Sequence, residues 1–267
     1  LRVLAGLLLL ALAGCQSAPK REQGDAPTVV SLNPCSDAIL AEVAAPGQLL
    51  AISHYSHDPA ATSMPLEQAR RFAITGGTVE EVLALDPDVV VAGSFLPPAS
   101  RAAFDRLGIQ VETIGIASTL EDSLSQIRQL AALTGDAAAG EELVRQVETA
   151  WRQSAHYGPP MSTLMWQEGG IVPGPESLIA RMLDHSGFAL HSAARGLAQG
   201  AYLPLEAVLA DPPALVLAAS DERMLTHQVL GKMQGTAYRD FDPALLYCGG
   251  PTIIRALARL AQVRASI

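Results

Sequence analysis

The sequence is short of aromatic residues, cysteine and charge. Phe, Trp and Tyr make up 4% of its 267 residues, Cys occurs three times, and Asp, Glu, Lys and Arg together reach 17%. So little charge beside 49% hydrophobic residues excludes a disordered chain. Basic charge is in deficit: 18 Lys and Arg stand against 27 Asp and Glu, a net of −9. That balance argues against nucleic acid as the main partner, because phosphate binding needs a basic face. No CxxC pair, glycine-rich phosphate loop or Ser/His/Asp spacing is present, so the chain does not read as an enzyme. Six scattered histidines without a His-rich loop argue against zinc carriage. Long apolar runs are also missing after the first one. Residues 3–14 (VLAGLLLLALAG) give roughly 18 Å of helix at ~1.5 Å per residue, short of the ~30 Å hydrocarbon core. The mean hydropathy of +0.24 is therefore not that of an integral membrane protein.

Arg2, that apolar run and the small residues before Cys15 are expected to form a secretory signal over residues 1–14. The junction Leu12-Ala13-Gly14-Cys15 resembles the bacterial lipoprotein signal, which implies lipidation of Cys15 and a membrane anchor through an N-terminal lipid. An ordinary signal peptide with a chance cysteine is the alternative. Residues 15–27 are polar, with Pro and Gly, and read as a flexible tether. An exported chain meets an oxidising compartment, which bears on Cys35 and Cys248.

From Thr28 the pattern alternates strand and helix. Residues 28–32, 49–53, 88–92 and 111–114 read as strands; 38–44, 79–85 and 99–107 read as helices, the first capped by Ser36-Asp37. Such alternation implies a parallel sheet covered on both faces. Residues 119–157 break the rhythm. Leu124, Ile127, Leu130 and Leu133, then Leu143, Val144, Val147 and Trp151, keep helical spacing, with an interruption at Thr134-Gly135-Asp136. The rhythm resumes with a strand at 162–167, a helix at 176–185 and a strand at 214–218.

An internal repeat ties the two halves together. TVEEVLALDPDVVVAGS (78–94) and PLEAVLADPPALVLAAS (204–220) share Glu80/Glu206, Val82/Val208, Leu83/Leu209, Ala84/Ala210, Pro87/Pro213, Val90/Val216, Ala92/Ala218 and Ser94/Ser220. The expected architecture is α/β: an N-terminal lobe (28–118) and a C-terminal lobe (158–267), each Rossmann-like with a parallel sheet, joined by a long interlobe helix (119–157).

The ordered series VVSLNPCSDAILAEVA, AISHYSHDP, TVEEVLALDPDVVVAG, RLGIQVETIG, GPESLIARML, LPLEAVLADPPALVL and GGPTIIRALARL resembles the helical-backbone class of periplasmic substrate-binding proteins. These serve ABC importers of cobalamin, ferric siderophores and heme, and this chain is nearest to the cobalamin-binding members. The resemblance covers about residues 29–265. It implies a ligand cleft between the lobes, no intrinsic cofactor, a monomer, and a permease dimer in the inner membrane as partner. A corrinoid is the first-choice ligand and a ferric siderophore or heme the alternative; a structural envelope lipoprotein or a metal-cluster enzyme subunit is the reading from other classes. By the same resemblance Glu80 and Glu206 dock onto permease arginines, a two-fold pairing that gives register and steering. Each is otherwise a helix N-terminal acid favoured by the macrodipole.

Turns after the strands line the cleft in such folds. They supply Asn33, Pro34, Cys35 and Ser36, then His54, Tyr55 and His57, then Ser94 and Phe95; the second lobe offers Trp166, Tyr202, Cys248 and Gly249. His57 and Cys35 are candidate metal ligands, hydrogen bonding being the simpler role for the histidines. For Cys35 and Cys248 three readings stand, in this order: unbonded cleft-lining thiols, a disulfide, and ligation of a soft metal. The chain departs from the cobalamin-binding pattern in having only two tryptophans, with Ser94 at a position expected to hold one. Trp151, which extends the apolar stripe, reads as core. No cationic cluster suited to an anionic siderophore is evident; Arg195, Arg223 and Arg255 stand apart.

Overall fold

The computed structural model describes residues 26–220 and 222–267; the signal segment and Cys15 lie outside the described residues. The first lobe runs β1 (Val29–Ser31), α1 (Pro34–Val43), β2 (Leu49–Ser53), α2 (Leu66–Ala69), β3 (Ile74–Thr75), α3 (Val79–Leu85), β4 (Val89–Gly93), α4 (Pro98–Leu107) and β5 (Gln110–Ile114). All its strands are parallel, in the order β3-β2-β1-β4-β5. Their β-branched runs are buried on both faces. Val30 and Val90 pack with Val82 and Phe104 on one side, and Val29, Val89 and Val91 with Ile39 and Ile127 on the other.

Helix α1 begins at Pro34, not at residue 38. Asn33 caps it, its side chain accepting from the Cys35 N–H at 2.8 Å, in place of the expected Ser36-Asp37. Proline suits the first helical position because the N–H it lacks would have no intrahelical partner there.

The interlobe segment is not one rod. Helices α5 (Leu120–Thr134) and α6 (Ala137–Ser154) fold back on each other, so that Thr119 and Leu120 at the start of one line a cavity together with Trp151 near the end of the other. Gly135, at φ 80°, makes the left-handed turn between them, and Asp136 caps the second helix. The interruption visible in the sequence is thus the tip of a hairpin. Arg128 and Glu141 pair across it at 2.6 Å.

The second lobe contains β6 (Met161–Gln167), β7 (Ile171–Val172), α7 (Leu178–His185), β8 (Phe188–Leu190), α8 (His191–Ala194), β9 (Ala201–Tyr202), α9 (Leu205–Ala210), β10 (Leu215–Ala219), β11 (Ala237–Asp240) and α10 (Pro251–Ala265). Its main sheet is parallel, in the order β11-β10-β6-β8, and β7 pairs with β9 antiparallel. The sequence repeat superposes element on element: α3 and β4 correspond to α9 and β10, residue 89 matching 215 and residue 93 matching 219. One buried cluster joins the whole, from Val29 and Ile39 through Ile127, Leu130, Val144 and Val147 to Met165, Leu217, Leu257 and Leu260.

Candidate ligand cleft

The C-terminal ends of both parallel sheets open toward one interlobe space, where open α/β sheets bind ligands. A cavity of about 1010 Å³ lies between Pro59 and Ala60 of the first lobe and Glu168, Ser220, Asp240, Asp242 and Tyr247 of the second. A smaller one, about 70 Å³, is lined by Asn33, Cys35, Ser94, Phe95, Tyr247 and Gly249. Tyr247 borders both. It is 60% exposed, and its hydroxyl donates to Gln167 Oε1 at 2.8 Å. Burial, and secondarily the Glu168 carboxylate, push its phenol above the usual tyrosine range, so Tyr247 is a neutral donor at physiological pH.

The turn after β2 is held from below. Asp37, wholly buried in the first turns of α1, accepts from the Ser53 N–H at 3.0 Å and the Ser56 hydroxyl at 2.6 Å. Burial drives its carboxyl up to about 8, against the opposing pull of its serine hydrogen bonds, and its other oxygen has no hydrogen-bond partner. His54 Nδ1 lies 3.3 Å from the Thr75 carbonyl and His57 Nε2 lies 3.0 Å from the Ala69 carbonyl. Both nitrogens therefore carry protons, and those lone pairs are not available to a metal. Tyr55, 53% exposed, stands with its ring 4.0 Å from that of His54. These three residues share the turn with Pro59 and Ala60 but line neither cavity. Among the described residues no group of three or more His, Cys, Asp or Glu is placed to hold a metal ion.

Asn33, Cys35, Ser94, Phe95 and Gly249 do come together, with Phe95 85% exposed. Other candidates do not. Trp166 is fully buried: β6 continues through Gln167, so the indole faces Leu164, Val208 and Val216 and donates to the Leu203 carbonyl at 3.1 Å. Ser36 is buried too, its hydroxyl shared with Ser31 and the Asn33 carbonyl. The Pro34 carbonyl accepts from the Ser63 hydroxyl, and Pro34 lines neither cavity. Tyr202 projects from the β7–β9 ribbon over Gly170 and borders neither cavity.

Cys35 and Cys248 are bonded, with their α-carbons 5.0 Å apart. This overturns the order of readings given to the pair, which put unbonded thiols first. A bonded sulfur also offers no thiolate, so Cys35 is not a metal ligand in this state. The two turns meet because glycines follow Cys248. A Cβ on Gly249 would lie 2.6 Å from Ser123 Oγ, and one on Gly250 2.6 Å from Ile39 Cγ1.

Sequence patterning does not mark the acidic wall of Glu168, Asp240 and Asp242, the place of Ser220 in the larger cavity, or Gly115 and Ile116, which also line the smaller one. Position signals two of them instead: Ser220 is the repeat partner of Ser94, and Asp240 ends a strand as Asn33 follows one.

Residues 29–237 match the family model described as periplasmic binding protein. No curated protein sequence matches the chain. Among solved structures, the periplasmic heme-binding protein RhuT from Roseiflexus sp. RS-1 is similar at a TM-score of 0.73, with 20% identity over 88% of this chain and 96% of that one. The periplasmic heme-binding protein HutB of Vibrio cholerae also gives 0.73, with 18% identity over 89% and 98%. The periplasmic vitamin B12-binding protein BtuF of Vibrio cholerae gives 0.68, with 17% identity over 89% and 96%.

Proposed function

We propose, from the premise that the chain belongs to the periplasmic binding protein family, that it captures a metal chelate between its lobes and delivers it to the permease dimer of an ABC importer. The chelate we favour is a corrinoid. The observation that carries this choice is the acidic excess of the larger cavity: Glu168, Asp240 and Asp242 line it against a single lining cation, Arg259, whose Nη2 donates to the Asp240 carbonyl, with Arg255 standing 4.0 Å from Asp242 Oδ2. A porphyrin brings two carboxylates, which such a wall repels. The amide fringe of a corrin brings N–H donors, which the same carboxylates accept. Phe95 on the smaller cavity and Tyr247 on both add aromatic faces suited to a flat ring. Heme is the second reading, supported by Tyr55, which presents an exposed phenol oxygen on the turn that leads to Pro59 and Ala60 of the larger cavity.

Glu80 and Glu206 are the proposed permease contacts. They occupy matched positions on α3 and α9, both exposed, and neither has a hydrogen bond or ion pair among the described residues. Their neighbour Glu81 is engaged by the Thr75 hydroxyl, which with backbone N–H groups holds its carboxyl below the usual range. Exposed Leu83 and Leu209 follow the two free glutamates one turn later, so each lobe offers an acid beside an apolar contact. Lipidation of Cys15 would hold this monomeric, non-enzymatic protein at the envelope membrane.

Calorimetric titration with cyanocobalamin, cobinamide, hemin and a ferric siderophore tests the reading. A corrinoid should bind most tightly. Tighter hemin binding would replace the corrinoid, and failure of all four would remove the chelate assignment.

A further inference from the structure

We propose that the Cys35–Cys248 disulfide is a positioning element of the cleft, fixing the Tyr247 loop against the first lobe and so setting the geometry of the cleft floor. The inference rests on the ligand reading above for its affinity consequence, but not for its structural one.

The bond lies at the ligand space itself. Cys35 lines the smaller cavity beside Asn33, and Cys248 is flanked by Tyr247 and Gly249, which line it from the opposite lobe. The loop carrying Tyr247 has few other restraints. The Leu246 N–H donates to the Pro243 carbonyl and the Gly250 N–H to Ser123 Oγ at 2.7 Å. Between them, among the described residues, the N–H groups of Tyr247, Cys248 and Gly249 make no hydrogen bond. Besides the packing of Leu246, Cys248, Gly249 and Gly250, which are buried, this stretch is held by the covalent link to Cys35 and by the Tyr247 hydroxyl on Gln167. Gly249 and Gly250 complete the approach, because their missing side chains let the loop lie against Ser123 and Ile39.

The rest of the interlobe junction does not depend on the bond. Thr252 Oγ1 donates to the Ser63 carbonyl at 2.8 Å, Arg255 Nη1 reaches the same carbonyl at 3.2 Å, and the buried cluster runs through both lobes. Removing the link therefore releases the Tyr247 loop locally and leaves the lobes joined. A cross-link that served stability alone would act chiefly on the unfolded chain and leave the folded cleft as it is.

The full chain carrying Cys35→Ser and Cys248→Ser together decides between these roles, at a temperature where circular dichroism shows it fully folded. Hydrogen exchange at the Gly250 amide and in the first turn of α10 should quicken by about tenfold, while β4 and β10 keep their protection. Dissociation of bound cyanocobalamin or hemin should quicken by about tenfold with association nearly unchanged, since a floor no longer preorganised is what the ligand must order. In wild type, dithiothreitol should give the same two changes as it closes to its cyclic disulfide and leaves two thiols, and reoxidation should reverse them. Wild-type exchange at Gly250 in the folded double variant would overturn the positioning role. Wild-type release rates with altered exchange would overturn its effect on the ligand. If wild type binds neither chelate, the ligand reading falls, and the exchange result still decides the positioning claim.

Discussion

Asp37 and Ser56 meet at 2.6 Å beneath the cleft, so a buried carboxyl at the start of α1 carries the turn on which Tyr55 stands. The raised pKa of that carboxyl, about 8, gives its effect on stability a definite sign. Between the unfolded value near 4 and about 8, the folded protein keeps a proton that the unfolded chain has released. This group's contribution to stability therefore declines as pH rises through that window and levels off above it. The slope is at most roughly 1.4 kcal/mol per pH unit. The stability of Asp37→Asn relative to wild type should rise steadily from pH 5 to pH 8 in thermal unfolding. Parallel pH profiles for the two proteins would contradict the assignment.

Charge reversal at the paired acids separates delivery from capture. Glu80→Lys or Glu206→Lys should lower chelate uptake in cells by about tenfold and move the chelate Kd by less than about twofold. Uptake and Kd falling together would place these residues in ligand binding instead.

Tyr247 offers a graded series. Tyr247→Phe removes the bond to Gln167 and should cost about 1 kcal/mol of stability while retaining the aromatic face. Tyr247→Ala removes the face that borders both cavities and should weaken chelate binding well beyond the phenylalanine variant. Equal Kd values for the two variants would show that the ring does not touch the ligand.

Trp166 should behave as core. Trp166→Ala is expected to cost about 3–5 kcal/mol in denaturant unfolding, through the cavity it leaves. Trp166→Phe should leave chelate affinity within about twofold; a large loss of affinity with the fold intact would return the indole to the cleft wall.

The sequence displayed the fold more plainly than the site. Unbroken apolar runs set off by Pro and Gly, and a matched pair of helix–strand units, are local signals, and β4 and β10 stand where they point. The hairpin of α5 and α6 was harder to see, because helical spacing is the same whether the chain continues or turns back. Only Gly135 marked the reversal. Site membership depended on the face each side chain takes. β6 ends at Gln167 as expected, and Trp166 is inside because it shares the face of Leu164 that packs on Val208 and Val216, whereas Asp240 and Asp242 entered the cleft through a strand that carries no strong apolar pattern. The disulfide joins residues 213 positions apart, a proximity that no local pattern encodes.

The unbroken interior from Val29 to Leu260 has a consequence for how the protein comes to exist. The first lobe shares its buried surface with α10, which follows the whole main sheet of the second lobe in the chain. Until α10 is in place, Ile39 and its neighbours lack their final covering. Neither lobe closes its interior without the other, so during refolding the two are expected to gain protection from hydrogen exchange together, not one after the other.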